Sequence, residues 1–339
     1  MDLGFNKENL ITIYGYNYIS PVKFESFKNE ISKNPDILEI TSAIFLPPSS
    51  SMIIIKIPSL IDPAQKIELE VMGVGYNFIE TFEFVKLDGR LFEESRKGDI
   101  KKSIIISESV IKALGITNPI GEYISFDNEK HEIIGVVKDF FIHSIRKKIS
   151  PTIIMLRPDF TKDFAIRINP VSNYGNTIKY IDDKLDEFFP DESYIIRFFD
   201  DALMQMYSSE IKFSKIILFV TYLSILLAIA GLYGLSSFLA ERRTKEIGIR
   251  KVFGATSKQI VLLMYKEFSG VIVFAILLAI PLAQYLSNLW LSQFVYKVKF
   301  GILTFIFAAI ISGVIVIITV SYQSFKIANM NPADVIKYE

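Results

Sequence analysis

Three long runs without a single charged side chain constrain this chain more than anything else in it. They cover residues 216–240, 268–296 and 300–325, and measure 25, 29 and 26 residues. A helix needs about 20 apolar residues to cross the hydrocarbon core of a bilayer, so each run is long enough. The competing reading is a buried helix of a soluble protein. Three such helices in succession would demand a core larger than 339 residues supply. The residue types also suit lipid: 216–230 reads IILFVTYLSILLAIA and 301–320 reads GILTFIFAAIISGVIVIITV. Gly231, Gly234, Gly270 and Gly313 lie inside the runs, as small residues do where membrane helices pack closely. Pro281 would break a soluble helix, but a membrane helix tolerates it as a kink. The second run exceeds one span. Its helix is expected to end near Asn288, leaving Trp290, Phe294 and Tyr296 as interfacial aromatics.

Charge divides the chain in the same place. The whole carries 37 basic and 37 acidic side chains, a net of zero. Residues 1–212 hold 25 basic and 32 acidic ones, net −7, whereas 213–339 hold 12 and 5, net +7. A nucleic-acid binder would show a basic excess, and a disulfide scaffold needs cysteine, of which there is none. The predicted domains are therefore an acidic one, 1–212, and a membrane one, 213–339, with spans at about 216–240, 268–288 and 302–324. The connection 241–267 carries seven Lys/Arg, and the positive-inside rule places it in the cytoplasm. The C-terminal tail is then cytoplasmic and residues 1–212 lie outside. Residues 1–30 show no basic segment followed by an apolar one that would act as a signal peptide. The simplest expectation is that an earlier membrane helix is missing from this chain; an inverted topology is the alternative.

Residues 1–212 read as a mixed α/β domain. Strand-like runs rich in Ile, Val, Phe and Tyr occupy 10–14, 53–57, 67–74, 103–107, 132–137, 152–156 and 164–168. Helical patterns cover 21–32, 107–114 and 176–188, with Pro21 in a first turn and Gly115 as a stop. Chemistry is scarce. His131 and His143 are the only histidines, so a zinc site would need carboxylates brought from afar; surface or polar-packing roles are the better reading. Asp182-Asp183, Asp186-Glu187 and Asp200-Asp201 read as solvated faces, since adjacent helical residues diverge. Residues 49–51 lie outside any nucleophile-elbow context. Neither a phosphate-binding Walker loop nor a dinucleotide glycine fingerprint is present, so no catalytic, cofactor or metal residue is assigned.

The most informative segment is 241–268, ERRTKEIGIRKVFGATSKQIVLLMYKEF. Thr256 followed by Gln259 has capping-box spacing, so a helix is expected to begin there and run into the second span, with Gly254 supplying the turn before it. Ile247, Ile249, Val252 and Phe253 form an apolar set rimmed by charge. Such a set at a membrane face suits either lipid headgroups or a partner groove.

This segment resembles the signature of the FtsX-like permease family of ABC transporters. Further similarity lies in GLYG at 231–234, WLSQFVY at 290–296 and the ending 331–339. Within the first domain DGRLF at 88–92, NPIG at 118–121, IGVVKDF at 134–140 and Pro190 resemble the MacB-type periplasmic core domain. The likeness covers essentially the entire chain. It implies an α+β extracytoplasmic domain followed by an all-α transmembrane region of three helices. The family's first transmembrane helix is then missing, and 2–13 is similar to the segment directly after that helix in relatives. The likeness also implies a non-catalytic permease of a bacterial inner membrane, with ATP bound by a partner ATPase subunit. Glu246, Ile247, Gly248, Ile249, Arg250, Lys251, Val252, Phe253, Gly254 and Ala255 would face that subunit. The resemblance implies mechanotransmission to the outer domain, for export or extraction of a hydrophobic, peptide or lipoprotein substrate. It would need a stiff rod, expected at 201–240. A second permease copy or half, a periplasmic adaptor and an outer-membrane channel are the further partners implied, besides membrane lipid. The other branch of the resemblance is a regulatory protein that activates cell-wall hydrolases.

Overall fold

The computed structural model describes residues 3–49, 51–58, 64, 66–143, 148–160, 162–171, 173–292 and 301–328. The chain divides into two compact units, Met1–Ser208 and Ser209–Glu339. In the first, the strands are β1 (Leu10–Gly15), β2 (Ile37–Ala43), β3 (Ile53–Pro58), β4 (Lys66–Val74), β5 (Lys86–Gly89), β6 (Ser103–Ser107), β7 (Tyr123–Phe126), β8 (Glu129–Val137), β9 (Thr152–Leu156), β10 (Asp163–Ile168) and β11 (Tyr194–Phe198). The helices are α1 (Pro21–Ile31), α2 (Phe78–Phe82), α3 (Glu108–Leu114), α4 (Tyr174–Phe188) and α5 (Phe199–Met206).

All strands join one sheet in the order β11-β1-β10-β2-β4-β9-β6-β8-β5, with β3 added to β4 and β7 to β8. The pairs β4–β9 and β6–β8 are parallel and the others antiparallel, which is the mixed sheet of an α+β domain. Side chains alternate across the sheet with period two. Ile11 and Ile13 of β1 and Phe164, Ile166 and Ile168 of β10 face α1 and α4, meeting Phe27, Ile31, Ile181 and Leu185. Their neighbours Leu10 and Ala165 face the other way, toward Phe78, Phe82 and Phe199. A third cluster holds Val110 and Leu114 of α3 against Ile104, Ile106, Ile133 and Ile153. Strands β6, β9 and β10 are buried along their whole length. That is why the interiors of β6 and β9 read as continuous apolar runs rather than alternating ones.

Local signals explain the helix ends. Ser20 caps α1 by accepting from Lys23 N, and Pro21 occupies the first turn, where a missing N–H leaves no bond unmade. Gly115 ends α3 in the left-handed conformation, as expected from the sequence. The DGRLF segment is fixed by a fork: Arg90 Nη1 and Nη2 donate to the two carboxylate oxygens of Asp99 at 2.6 and 2.7 Å, and Ser103 Oγ donates to Asp99 at 3.0 Å. Gly89 precedes it at φ 71°, where a Cβ would lie 2.2 Å from Ile134 O. Only glycine fits that approach.

The second unit comprises α6 (Ser208–Arg242), α7 (Thr244–Val252), α8 (Ser257–Leu291) and α9 (Ile302–Ala328). Among the described residues, three helices hold segments long and apolar enough to span a bilayer: Ser208–Leu239, Ser269–Leu291 and Ile302–Tyr322. Helix α8 runs through Pro281 and ends at Leu291, three residues past the expected Asn288. The rod expected over 201–240 is not one helix. Its backbone leaves helical geometry at Tyr207 (φ −94°, ψ 11°), between α5 and α6. Phe294 and Tyr296, the 297–299 connection and the 331–339 ending lie outside the described residues.

Candidate functional site

The segment linking the first two spans folds into α7, a helix of nine residues. Its exit has a Schellman-type form: Gly254 takes φ 88°, and Ala255 N donates back to Arg250 O at 2.9 Å. Helix α8 then starts with the expected capping box. Gln259 N donates to Thr256 Oγ1, and Thr256 N donates to Gln259 Oε1 at 2.9 Å.

Helix α7 has two faces. Ile247, 4% exposed, packs with Ile260 of α8 and Val320 of α9, and Leu239, Tyr265, Ile272 and Val316 close around them. Gly248 is also buried. Tyr265 holds the socket together by donating to Ile317 O at 2.9 Å and bonding Ser321 Oγ. On the other face, Ile249, Val252 and Phe253 are 54, 67 and 86% exposed. Their i, i+3, i+4 spacing puts them on one side of the helix. Arg250 pairs with Glu246 at 2.7 Å, one turn apart, and Arg243 lies 3.9 Å from Glu246. The family resemblance treats ten consecutive residues, Glu246, Ile247, Gly248, Ile249, Arg250, Lys251, Val252, Phe253, Gly254 and Ala255, as one element. The structure splits them into an anchor, an ion pair on the helix surface and an exposed apolar edge; the Lys251 side chain lies outside the described residues. Sequence alone groups Ile247 with the exposed residues, yet two residues before Ile249 on a helix point away from it. The socket residues Ile260 and Val320 give no signal, being apolar positions among many.

The outer unit offers no competing chemistry among the described residues. No group of three His, Asp or Glu residues there is placed to hold a metal ion. His131 is 2% exposed, pairs through Nδ1 with Lys101 O at 2.7 Å and stacks on Phe126. This is the polar-packing role, not a surface one. His143 bridges Ser49 O and Glu70 Oε1 at 2.6 and 2.8 Å. Asp182, Asp183, Asp186 and Glu187 lie on the exposed side of α4, whose other side buries Thr177, Ile181 and Leu185. A cavity of about 600 Å³ opens between the end of α3 and β7, lined by Ile57, Leu114, Ile116, Glu122 and Tyr123 among others.

The profile of the MacB-like periplasmic core domain matches residues 4–189, more than half of the chain, and that of the FtsX-like permease C-terminal region matches 218–332. The chain belongs to the MacB/FtsX-like permease family. Its curated relatives include the macrolide export ATP-binding/permease protein MacB of Chlorobium luteolum, 23% identical over 280 residues. The protein of the same name from Bdellovibrio bacteriovorus is 23% identical over 291 residues. These alignments take in 79 and 80% of this chain but only 42 and 44% of the relatives, so the chain spans less than half of their length. Among solved structures, the periplasmic region of MacB from Actinobacillus actinomycetemcomitans aligns with TM-score 0.45 and 17% identity, over 60% of this chain and 95% of that one. The extracellular domain of the ABC-type transporter YknZ from Gram-positive bacteria gives 0.41 and 14%, over 56 and 100%. The chain is thus a membrane protein of a transporter family, with three apolar helices following a periplasmic-type domain.

Proposed function

We propose that this chain is a non-catalytic permease portion of a MacB/FtsX-type ABC transporter, and that α7 receives motion from a partner ATPase on the cytoplasmic side. The two-faced build of α7 carries this reading. One face is keyed by Ile247 into α8 and α9, and the other presents Ile249, Val252 and Phe253 to whatever docks there. An exposed i, i+3, i+4 apolar edge on a short helix is the form in which helices enter hydrophobic grooves. A push on that edge would pass through Ile247 to α8 and α9, while α6 continues from α7 toward the outer unit. Motion of the outer domain, rather than a path through the membrane, would then do the work on a hydrophobic, peptide or lipoprotein substrate. Residues 1–212 would be extracytoplasmic and the C-terminus cytoplasmic. A second permease half, a periplasmic adaptor and an outer-membrane channel would complete the machine.

The test is co-purification with the ATP-binding subunit together with its ATPase rate. Phe253→Asp is expected to lower association at least about 10-fold, since one charge in an apolar groove costs more than about 1.4 kcal/mol. Phe253→Leu should restore most of it. Association unchanged by Phe253→Asp would reject α7 as the docking edge.

A further inference from the structure

Helix α5 is the last element of the outer unit before α6, yet by itself it is poorly fastened. It buries only Phe199 and Ala202 and has eight residues. It follows directly from β11 and packs on β1 and β11, and it is held further by residues 3–9, far away in sequence. Phe5 sits among Phe82, Phe84 and Phe199, with ring centroids 5.5, 5.5 and 5.4 Å away. Lys7 Nζ meets Asp200 Oδ1 at 2.6 Å. Asn6 N donates to Phe82 O at 2.9 Å, and Asn6 Nδ2 donates to Glu83 Oε2 at 2.8 Å. Gly4, at φ 85°, lies so close to the loop after β8 that a Cβ would stand 2.4 Å from Asp139 O.

One side chain ties this segment to the sheet. Arg167 of β10 is 6% exposed. Its Nε donates to Thr81 O at 2.6 Å, Nη1 to Glu8 O at 2.8 Å and Nη2 to Asn6 O at 2.8 Å. Three nitrogens of one rigid plane thus hold carbonyls of two segments, with the Glu83 carboxylate 3.3 Å from Nε balancing the charge. A lysine has one nitrogen on a flexible stem and cannot span the same three acceptors.

We propose that residues 3–9, α2 and α5 form one load-bearing joint, and that Arg167 is the positioning residue that fastens it to the central strand β10. The proposal rests on the reading that motion reaches the outer unit along α6. Force arriving at α5 would enter the edge strand β11 directly and, by way of Phe5 and Lys7, would reach the central strand β10 through residues 3–9 and Arg167. Without the fork, α5 would be tied to the sheet only at its edge, through β11 and β1, and not to β10.

Hydrogen exchange on the full chain in lipid nanodiscs tests this. Arg167→Lys is expected to speed exchange at residues 6–8 and 199–206 at least about 10-fold, leaving β6 and β9 as slow as before. The chain has no cysteine, so an Asn6→Cys, Glu83→Cys pair bridged by a short bis-maleimide would tie residues 3–9 to the end of α2, which packs on β10 without needing Arg167. In the Arg167→Lys background that bridge should return α5 to slow exchange. Uniformly faster exchange would make Arg167 a general stability residue and overturn the joint. So would unchanged exchange, or failure of the bridge to rescue α5. None of these readouts uses ATP, so an absence of transport would count against the transporter reading and leave the joint standing.

Discussion

The two units place the same residue types in opposite environments. In the outer unit Phe27, Phe82 and Phe164 show no exposed surface at all. In the membrane unit Phe219, Phe274 and Phe307 are 67, 64 and 67% exposed. The outer unit has three large apolar clusters, while the described part of the membrane unit has one small one, Ile247, Ile260 and Val320, at the α7 socket. A water-soluble fold could not keep so many phenylalanines outside. The difference teaches what each unit folds against. The outer unit buries its apolar groups in itself, whereas the membrane helices leave theirs to lipid, which is as apolar as they are.

That contrast can be broken most sharply by matched truncations. Phe27→Ala should cost the outer unit about 3–5 kcal/mol, because it leaves a cavity among Phe164, Phe188 and Phe189. Phe307→Ala, in contrast, should change stability by less than about 1 kcal/mol, since lipid fills the space. Urea or thermal melts of the chain in micelles would compare them, and equal losses would erase the distinction.

A second substitution reverses the usual expectation for exposed sites. Leu227 is 66% exposed in the middle of α6. In water, Leu227→Asp would be nearly neutral. Facing lipid, it should cost about 3 kcal/mol of insertion free energy, seen as reduced membrane integration. Undiminished integration would show that this face meets water.

A smaller effect sharpens the outer side. Asp163, at the start of β10, accepts from Gly15 N at 3.2 Å, and burial raises its pKa to about 6. The folded form therefore binds this proton more tightly than the unfolded chain does. The stability that comes with the proton is complete below about pH 4 and is lost as pH rises through about 6. The difference is on the order of 2–3 kcal/mol. Asp163→Asn should flatten that part of the stability profile between about pH 4 and 7; an unchanged slope would assign it to another group.

Much of this is legible in the residues themselves. The three spans announce themselves because lipid tolerates no charge, and the capping box at Thr256 needs only two residues at the right spacing. The strands legible in sequence are those rich in Ile, Val and Phe, among them β3, which is largely exposed. Those that escape it are β5 and β7, of four residues each, and β2 and β11, whose apolar runs are each interrupted by one charged residue, Glu39 and Arg197. Arg167 looks like an ordinary strand residue, because its acceptors are main-chain carbonyls and leave no mark in the sequence. Helix α7 reads as a charged apolar loop. Its helical character shows in the Ile249, Val252, Phe253 spacing, but which side Ile247 takes depends on Ile260 and Val320, which are distant in sequence. The break at Tyr207 has no glycine or proline to signal it, and the structure gives no further reason for it.

The proposed function requires the outer unit and α7 to lie on opposite sides of the membrane. Single cysteines in this cysteine-free chain test it directly. Ser125→Cys, on exposed β7, and Phe253→Cys, on the exposed edge of α7, would be probed with a membrane-impermeant maleimide in cells whose outer barrier has been removed. Prompt labelling is expected at 125, and labelling at 253 only after the inner membrane is opened, slowed when the ATP-binding subunit is present. Labelling of 253 in intact cells would contradict it.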